Sequence, residues 1–170
     1  MSPQASYHAA RQGDAVYVRS SGLANMKNAP VLDAFLAAEL AAGARKVYVD
    51  LAACTGMDST FMGLMVGFAR HYEDAGGTLA IVNPGANNLR LLKMLGVTEV
   101  VRVSESQRLP PDIDFVLIAS DPDLSPTERA ELISRAHQNL MRISESNKAK
   151  FSAFLAAIEA DLARLRGGGR

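Results

Sequence analysis

Apolar positions recur every second residue at the start of the chain and every third or fourth residue further on. Residues 7–11 and 15–19 flank Gly13-Asp14, and Val16 and Val18 alternate with Tyr17 and Arg19. This pattern predicts a hairpin of two half-buried strands. Residues 20–28 read as loop. Pro30 then opens a helix, with Asn28 or Ala29 at its start. Leu32, Phe35, Leu36 and Leu40 fall at helical spacing, and Gly43 stands at a typical C-terminal position. Residues 46–51 predict a short buried strand and 52–57 a turn. A helix follows from about residue 60 to residue 74, with Phe61, Leu64, Met65, Phe68 and Tyr72 as its buried stripe. Gly76-Gly77 stops it. Residues 78–82 form another apolar strand ending at Asn83-Pro84-Gly85. A helix from Asn87 or Asn88 to Leu95 is closed by Gly96, and 99–103 reads as a last strand.

Strands alternating with helices over short loops argue for parallel pairing through helical crossovers. Residues 5–104 are therefore expected to form an α/β domain, a mixed sheet with helices mainly on one face. Residues 105–124 are polar and proline-containing and read as a linker. Within them, 113–119 is a short apolar run that fits strand or helix equally. Ser125-Pro126-Thr127-Glu128 is a capping box with proline at the first helical position, and it opens a helical extension over 125–166. Ile133, Ala136, Leu140 and Ile143 form one stripe. Phe151, Leu155, Ile158, Leu162 and Leu165 form another in a different phase. The change falls near 144–150, giving two helices or one broken helix. The stripes have to bury against something: the chain's own domain, or a coiled-coil seam in a homodimer. Residues 167–170 read as a flexible end.

Composition narrows the function classes. The 18 basic and 18 acidic residues cancel, so no bulk field points to nucleic acid or an anionic membrane. The single cysteine, Cys54, excludes an internal disulfide framework and fits a reducing compartment. Neither a secretory signal nor an apolar stretch of the roughly 20 residues that span a bilayer is seen. A soluble cytoplasmic protein is expected. His8, His71 and His137 lack metal-ligand spacing, and Gly56, Gly63 and Gly67 lack the lysine of a phosphate-binding loop. Asp50 is expected to pair with nearby backbone or a turn group. With no nucleophile–base set in view, neither a cofactor nor catalysis is expected.

The joint Asp58-Ser59-Thr60 is the candidate site. A helix start leaves N–H groups unpaired and carries partial positive charge, which suits a negative group. Ser59 can cap the helix or carry a phosphate there. Met62 stands where a capping box would place Glu or Gln, so the hydroxyl has no reciprocal partner in sequence.

Several pieces combine into a pattern: residues 47–51 with Asp50, Met57-Asp58-Ser59-Thr60, Gly63-Leu64, Ala69-Arg70, Ala75-Gly76-Gly77, residues 79–82 with Asn83-Pro84, and Leu91-Leu92 through Leu95-Gly96-Val97. In this order and spacing, residues 16–103 resemble a STAS domain of the bacterial anti-sigma-factor antagonist type; the C-terminal third has no counterpart in the minimal domain. The resemblance implies a non-catalytic regulator that works by partner switching. It implies a kinase-type anti-sigma factor that phosphorylates Ser59 and a serine/threonine phosphatase that reverses the change. Asp58, Thr60, Met62, Gly63 and Val66 would then lie at the partner-binding surface, with Gly63 allowing close approach. For Met62 and Val66, packing under a neighbouring helix is an equal alternative. One departure is Phe61, where antagonists usually carry a small residue. With the unusual extension, it keeps open a second reading, a STAS scaffold or a module binding nucleotide or lipid.

Overall fold

The computed structural model describes residues 5–119 and 121–167. Strands β1 (Ser6–Gln12) and β2 (Ala15–Ala24) pair antiparallel across a turn in which Gly13 takes a φ of +64°, a conformation glycine adopts without strain. Helix α1 (Ala29–Ala41) follows, with proline in its first turn. Strand β3 (Lys46–Asp50) pairs parallel with the first half of β2, and β4 (Cys54–Met57) pairs parallel with its last residues. Helix α2 (Ser59–Asp74) leads to β5 (Thr78–Val82), parallel to β3. After α3 (Ala86–Met94) and the single turn α4 (Val97–Val100), β6 (Arg102–Ser104) pairs parallel with β5. Strand β7 (Val116–Leu117) adds antiparallel to β1. The sheet runs β6-β5-β3-β2-β1-β7, with β4 on β2.

Register explains the core. Val16 sits opposite Val47, Val18 opposite Val49, and Val47 opposite Leu79, so one face is lined by branched aliphatics that are fully buried. Leu32 and Leu36 of α1 and Phe61, Leu64, Met65 and Phe68 of α2 close over them. The alternate residues, Tyr17 and Tyr48, stack on the other face with ring centroids 5.2 Å apart.

Four sequence expectations change. The loop expected from residue 20 is the second half of β2, and the expected turn at 52–57 contains β4. Past Arg19, β2 has no β3 partner, so its free edge recruits residues of weak strand propensity. The expected strand at 99–103 starts with α4, because Val97 and Val101, four residues apart, are both buried, a helical spacing. Strand β6 follows it. The apolar run at 113–119 supplies β7, so the expected linker also lengthens the sheet.

Two further helices make up the extension: α5 (Pro126–Met141) and α6 (Glu145–Gly167). The capping box is formed, with the Glu128 N–H donating to Ser125 Oγ and the Ser125 N–H to Glu128 Oε1. Ser144 caps α6 by accepting from the Asn147 N–H. Helix α5 packs on α2, and α6 packs on α5. Leu132, Ala136 and Leu140 of α5 belong to the same buried cluster as the sheet and α2, so the α5 stripe is spent within the chain. On α6, Phe154 and Leu165 stay exposed. Residues 168–170 of the expected flexible end lie outside the described residues.

Asn147 ties the helices to the domain. It is buried, and its Nδ2 donates to the carbonyls of Leu95 and Leu140, both at 2.8 Å. Asn147→Ala leaves both buried carbonyls without that donor. It is expected to cost about 2 kcal/mol, read as a lower urea midpoint with an unchanged slope.

Candidate functional site

The site grows from the end of β4. Pairing with β2 brings the Asp58 N–H to the Ala24 carbonyl at 3.0 Å, which fixes where α2 begins. Asp58 is the N-cap: its Oδ1 accepts from the Phe61 N–H at 2.9 Å, and its Oδ2 accepts from the Met26 N–H at 2.8 Å. Both carboxylate oxygens are thus engaged. Capping by Ser59, one of the two roles open to it in the sequence, is excluded: the cap is Asp58, and Ser59 is the first helical residue.

The Ser59 hydroxyl is directed at α5 instead. Its Oγ lies 2.8 Å from His137 Nε2, and His137 Nδ1 lies 2.8 Å from the Ile133 carbonyl. A carbonyl only accepts, so Nδ1 carries the ring proton. Nε2 of the neutral ring then accepts from the Ser59 O–H. Burial pushes the His137 pKa below its ordinary 6.5, against smaller upward pulls from the Ile133 carbonyl and the Asp58 carboxylate. His137 is only 2% exposed, with the rings of Phe151 and Phe154 against it at 5.2 and 4.6 Å.

Ser59, Gly63 and Gly67, each four residues apart, draw one line along α2. A Cβ on Gly63 would lie 2.1 Å from the Ala136 carbonyl oxygen, and one on Gly67 would lie 2.5 Å from Asn139 Nδ2. Helix α5 thus approaches to backbone contact, and Asn139 Nδ2 donates to the Gly63 carbonyl at 3.1 Å. Met62 and Val66 are each 4% exposed and share a buried cluster with Leu132, Ala136 and Leu140. Of their two sequence readings, the structure shows packing beneath a neighbouring helix. Thr60 is buried as well, while Asp58 and Ser59 are half-buried. The Phe61 side chain is fully buried in the core, so its bulk does not stand beside the hydroxyl.

Sequence reasoning missed His137, which lies 78 residues from Ser59. Its position between Ile133 and Leu140 on the α5 stripe was the available signal. Serine and histidine here touch as a nucleophile and base would. The Phe61 N–H donates to Asp58 Oδ1, and three surface grooves are lined by residues other than Ser59 and His137. The contact fastens two helices. Asp50 pairs as expected, accepting from the Ala52 N–H at 3.0 Å and Asn83 Nδ2 at 3.3 Å. Cys54 is buried. Among the described residues, no group of three or more His, Cys, Asp or Glu is placed to hold a metal, and no helix is long and apolar enough to cross a membrane.

The family described as Mlab, STAS domain (STAS_2) matches residues 7–103, more than half of the chain. The chain belongs to the STAS domain family. Solved structures share the STAS fold. An anti-sigma factor antagonist from Mycobacterium paratuberculosis superposes with a TM-score of 0.56 at 18% identity, over 62% of this chain and 92% of that one. The protein TM1081 of Thermotoga maritima, named as a candidate anti-sigma factor antagonist, gives 0.55 at 22% identity, over 59% and 86%. No curated protein matches the chain significantly. The STAS match ends at residue 103, so α5, α6 and the Ser59–His137 contact lie partly or wholly beyond it.

The depressed His137 pKa sets a pH dependence. Folded, the ring resists protonation; once α5 lifts or unfolds, it returns toward 6.5. Docking is therefore fully present above that value and weakens as pH falls through it, because only the undocked state takes up the proton. Urea midpoints at about pH 7.5 and about pH 5.5 should differ more for the wild type than for His137→Gln, which lacks that proton. Equal differences would contradict the assignment.

Proposed function

We propose that this STAS protein is a non-catalytic regulator that acts by phosphorylation-controlled partner switching, as an anti-sigma-factor antagonist, with Ser59 as the phosphoacceptor. One observation carries the reading. Asp58 takes the cap, which leaves the Ser59 hydroxyl at the positive end of α2 and at its contact with a second helix. In this reading a kinase-type anti-sigma factor transfers the γ-phosphoryl group of ATP to Ser59 Oγ. The bond to the ADP oxygen breaks, and the hydroxyl proton leaves to a base of the kinase. A serine/threonine phosphatase hydrolyses the ester with water. The phosphate adds about −1.5 to −2 charges beside Asp58. Helix contact at this spot is then opposed by bulk, desolvation and like charge. Asp58, Ser59, Thr60, Met62, Gly63 and Val66 make up the ridge that a partner would use.

A second reading, a ligand-binding STAS module, is favoured by a groove of about 530 Å³ between α1, α2 and α5. Its floor includes Leu40, Leu64 and Phe68, and Arg70, Arg135 and Arg142 stand around it, with Asp33 3.5 Å from Arg135. Such a groove suits an anion with an apolar body, as a nucleotide or a lipid provides.

The two readings separate in one set of experiments. Incubation of the full chain with the source organism's kinase-type anti-sigma factors and ATP should add one phosphate, mapped to Ser59 and lost in Ser59→Ala. Incorporation unchanged in Ser59→Ala would overturn the first reading. A thermal shift with nucleotides or lysophospholipids that Arg142→Ala abolishes would favour the second.

A further inference from the structure

The ridge that the proposed function assigns to a partner is already occupied, by this chain's own α5. Four contacts hold it there, and Asn147 of α6 adds a fifth. Ser59 donates to His137, and Asn139 donates to the Gly63 carbonyl. Arg129 Nη1 donates to the Met26 carbonyl at 3.1 Å, Arg135 lies 3.5 Å from Asp33, and Asn147 donates to the Leu95 carbonyl. Leu132, Ala136 and Leu140 bring apolar surface down on both sides of the Gly63 crossing. This is one helix filling a groove of another, with a small residue at the closest approach and leucines one turn before and after it.

We propose that α5 is a resident competitor on the α2 ridge, that any partner docking there must present a helix of the same chemistry, and that a phosphoryl group on Ser59 ejects the helix. The phosphorylation step rests on the function proposed above; the competition does not. The fit specifies the partner: an amphipathic helix with a small residue facing Gly63, apolar residues four positions to either side, and a neutral hydrogen-bond acceptor facing Ser59. The unmodified chain is closed, and a partner helix gains the ridge only by displacing α5. The phosphorylated chain is open, because a tetrahedral phosphoryl group has no room in the 2.8 Å between Oγ and Nε2. Phe151 and Phe154 pack against His137 and hold its ring beside Ser59. A kinase reaches Ser59 only in the fraction of molecules in which α5 has lifted, so opening gates the modification.

Full-length variants test each part. Ala136→Phe wedges α5 away from its own side and leaves the ridge native. Gly63→Ala does so from the ridge side, although alanine by itself favours helix at that position. Ser59→Glu imitates the modification. In all three, amide exchange in α5 and α6 should quicken by roughly tenfold or more, the loss expected when such contacts go. Amides of β3 and β5 should stay protected, which shows that the domain is folded. A labelled peptide of residues 126–143 should bind Ala136→Phe, yet bind neither the wild type nor the double variant with Ser59→Glu. Wild-type exchange in α5 and α6 in all three variants would overturn the proposal, and so would equal peptide binding to wild type and Ala136→Phe. If peptide and exchange behave as expected while no kinase modifies Ser59, the competition holds and the phosphorylation reading fails.

Discussion

The backbone contact between α2 and α5 is the constraint on which the rest of this structure depends. It exists because α2 carries no Cβ at Gly63, which lets the Ala136 carbonyl lie where any other residue would place a side chain. Once the helices are that close, Ser59 and His137 are brought to hydrogen-bond distance, and Met62 and Val66 lose their exposure to solvent. The buried imidazole has one way to satisfy both nitrogens, and it uses a carbonyl of its own helix and the hydroxyl of the other. Leaving either unpaired in this interior would cost about 1–3 kcal/mol, so the contact is discriminating as well as close.

This arrangement puts a second helix over the Ser59 joint. Here α2 is buried along the unbroken run Thr60–Ala69, with the sheet on one side and α5 on the other. The extension is thus part of the chemistry around Ser59. The pinning of α6 through Asn147 couples that site to the end of α3, since Leu95 belongs to the sheet domain and Leu140 to α5.

Much of this was legible in the sequence, and the parts that were not share a physical cause. Alternation around Gly13-Asp14, the helical stripe of α2, and the Ser125–Glu128 box are local signals, and they set β1–β2, α2 and the start of α5. The phase change near Ser144 marked the break between α5 and α6. Strand β4 was not legible, and β7 was left open between strand and helix, because both form on edges left free by distant strands. The Ser59–His137 pair joins residues far apart in the chain and leaves no local trace. The second buried face of α2 did leave one: apolar residues all round the helix from Phe61 to Ala69, with small residues at 59, 63 and 67. A helix apolar on every side has to be covered on every side.

Nitrogen chemical shifts of the His137 imidazole, recorded at neutral pH in wild type and in Ser59→Ala, test the α2–α5 latch most directly. A proton fixed on Nδ1 is predicted, with an Nε2 resonance that moves when the serine hydroxyl is removed and an Nδ1 resonance that does not. A ring that averages between tautomers as in free solution, or an Nε2 shift indifferent to Ser59→Ala, would contradict the account.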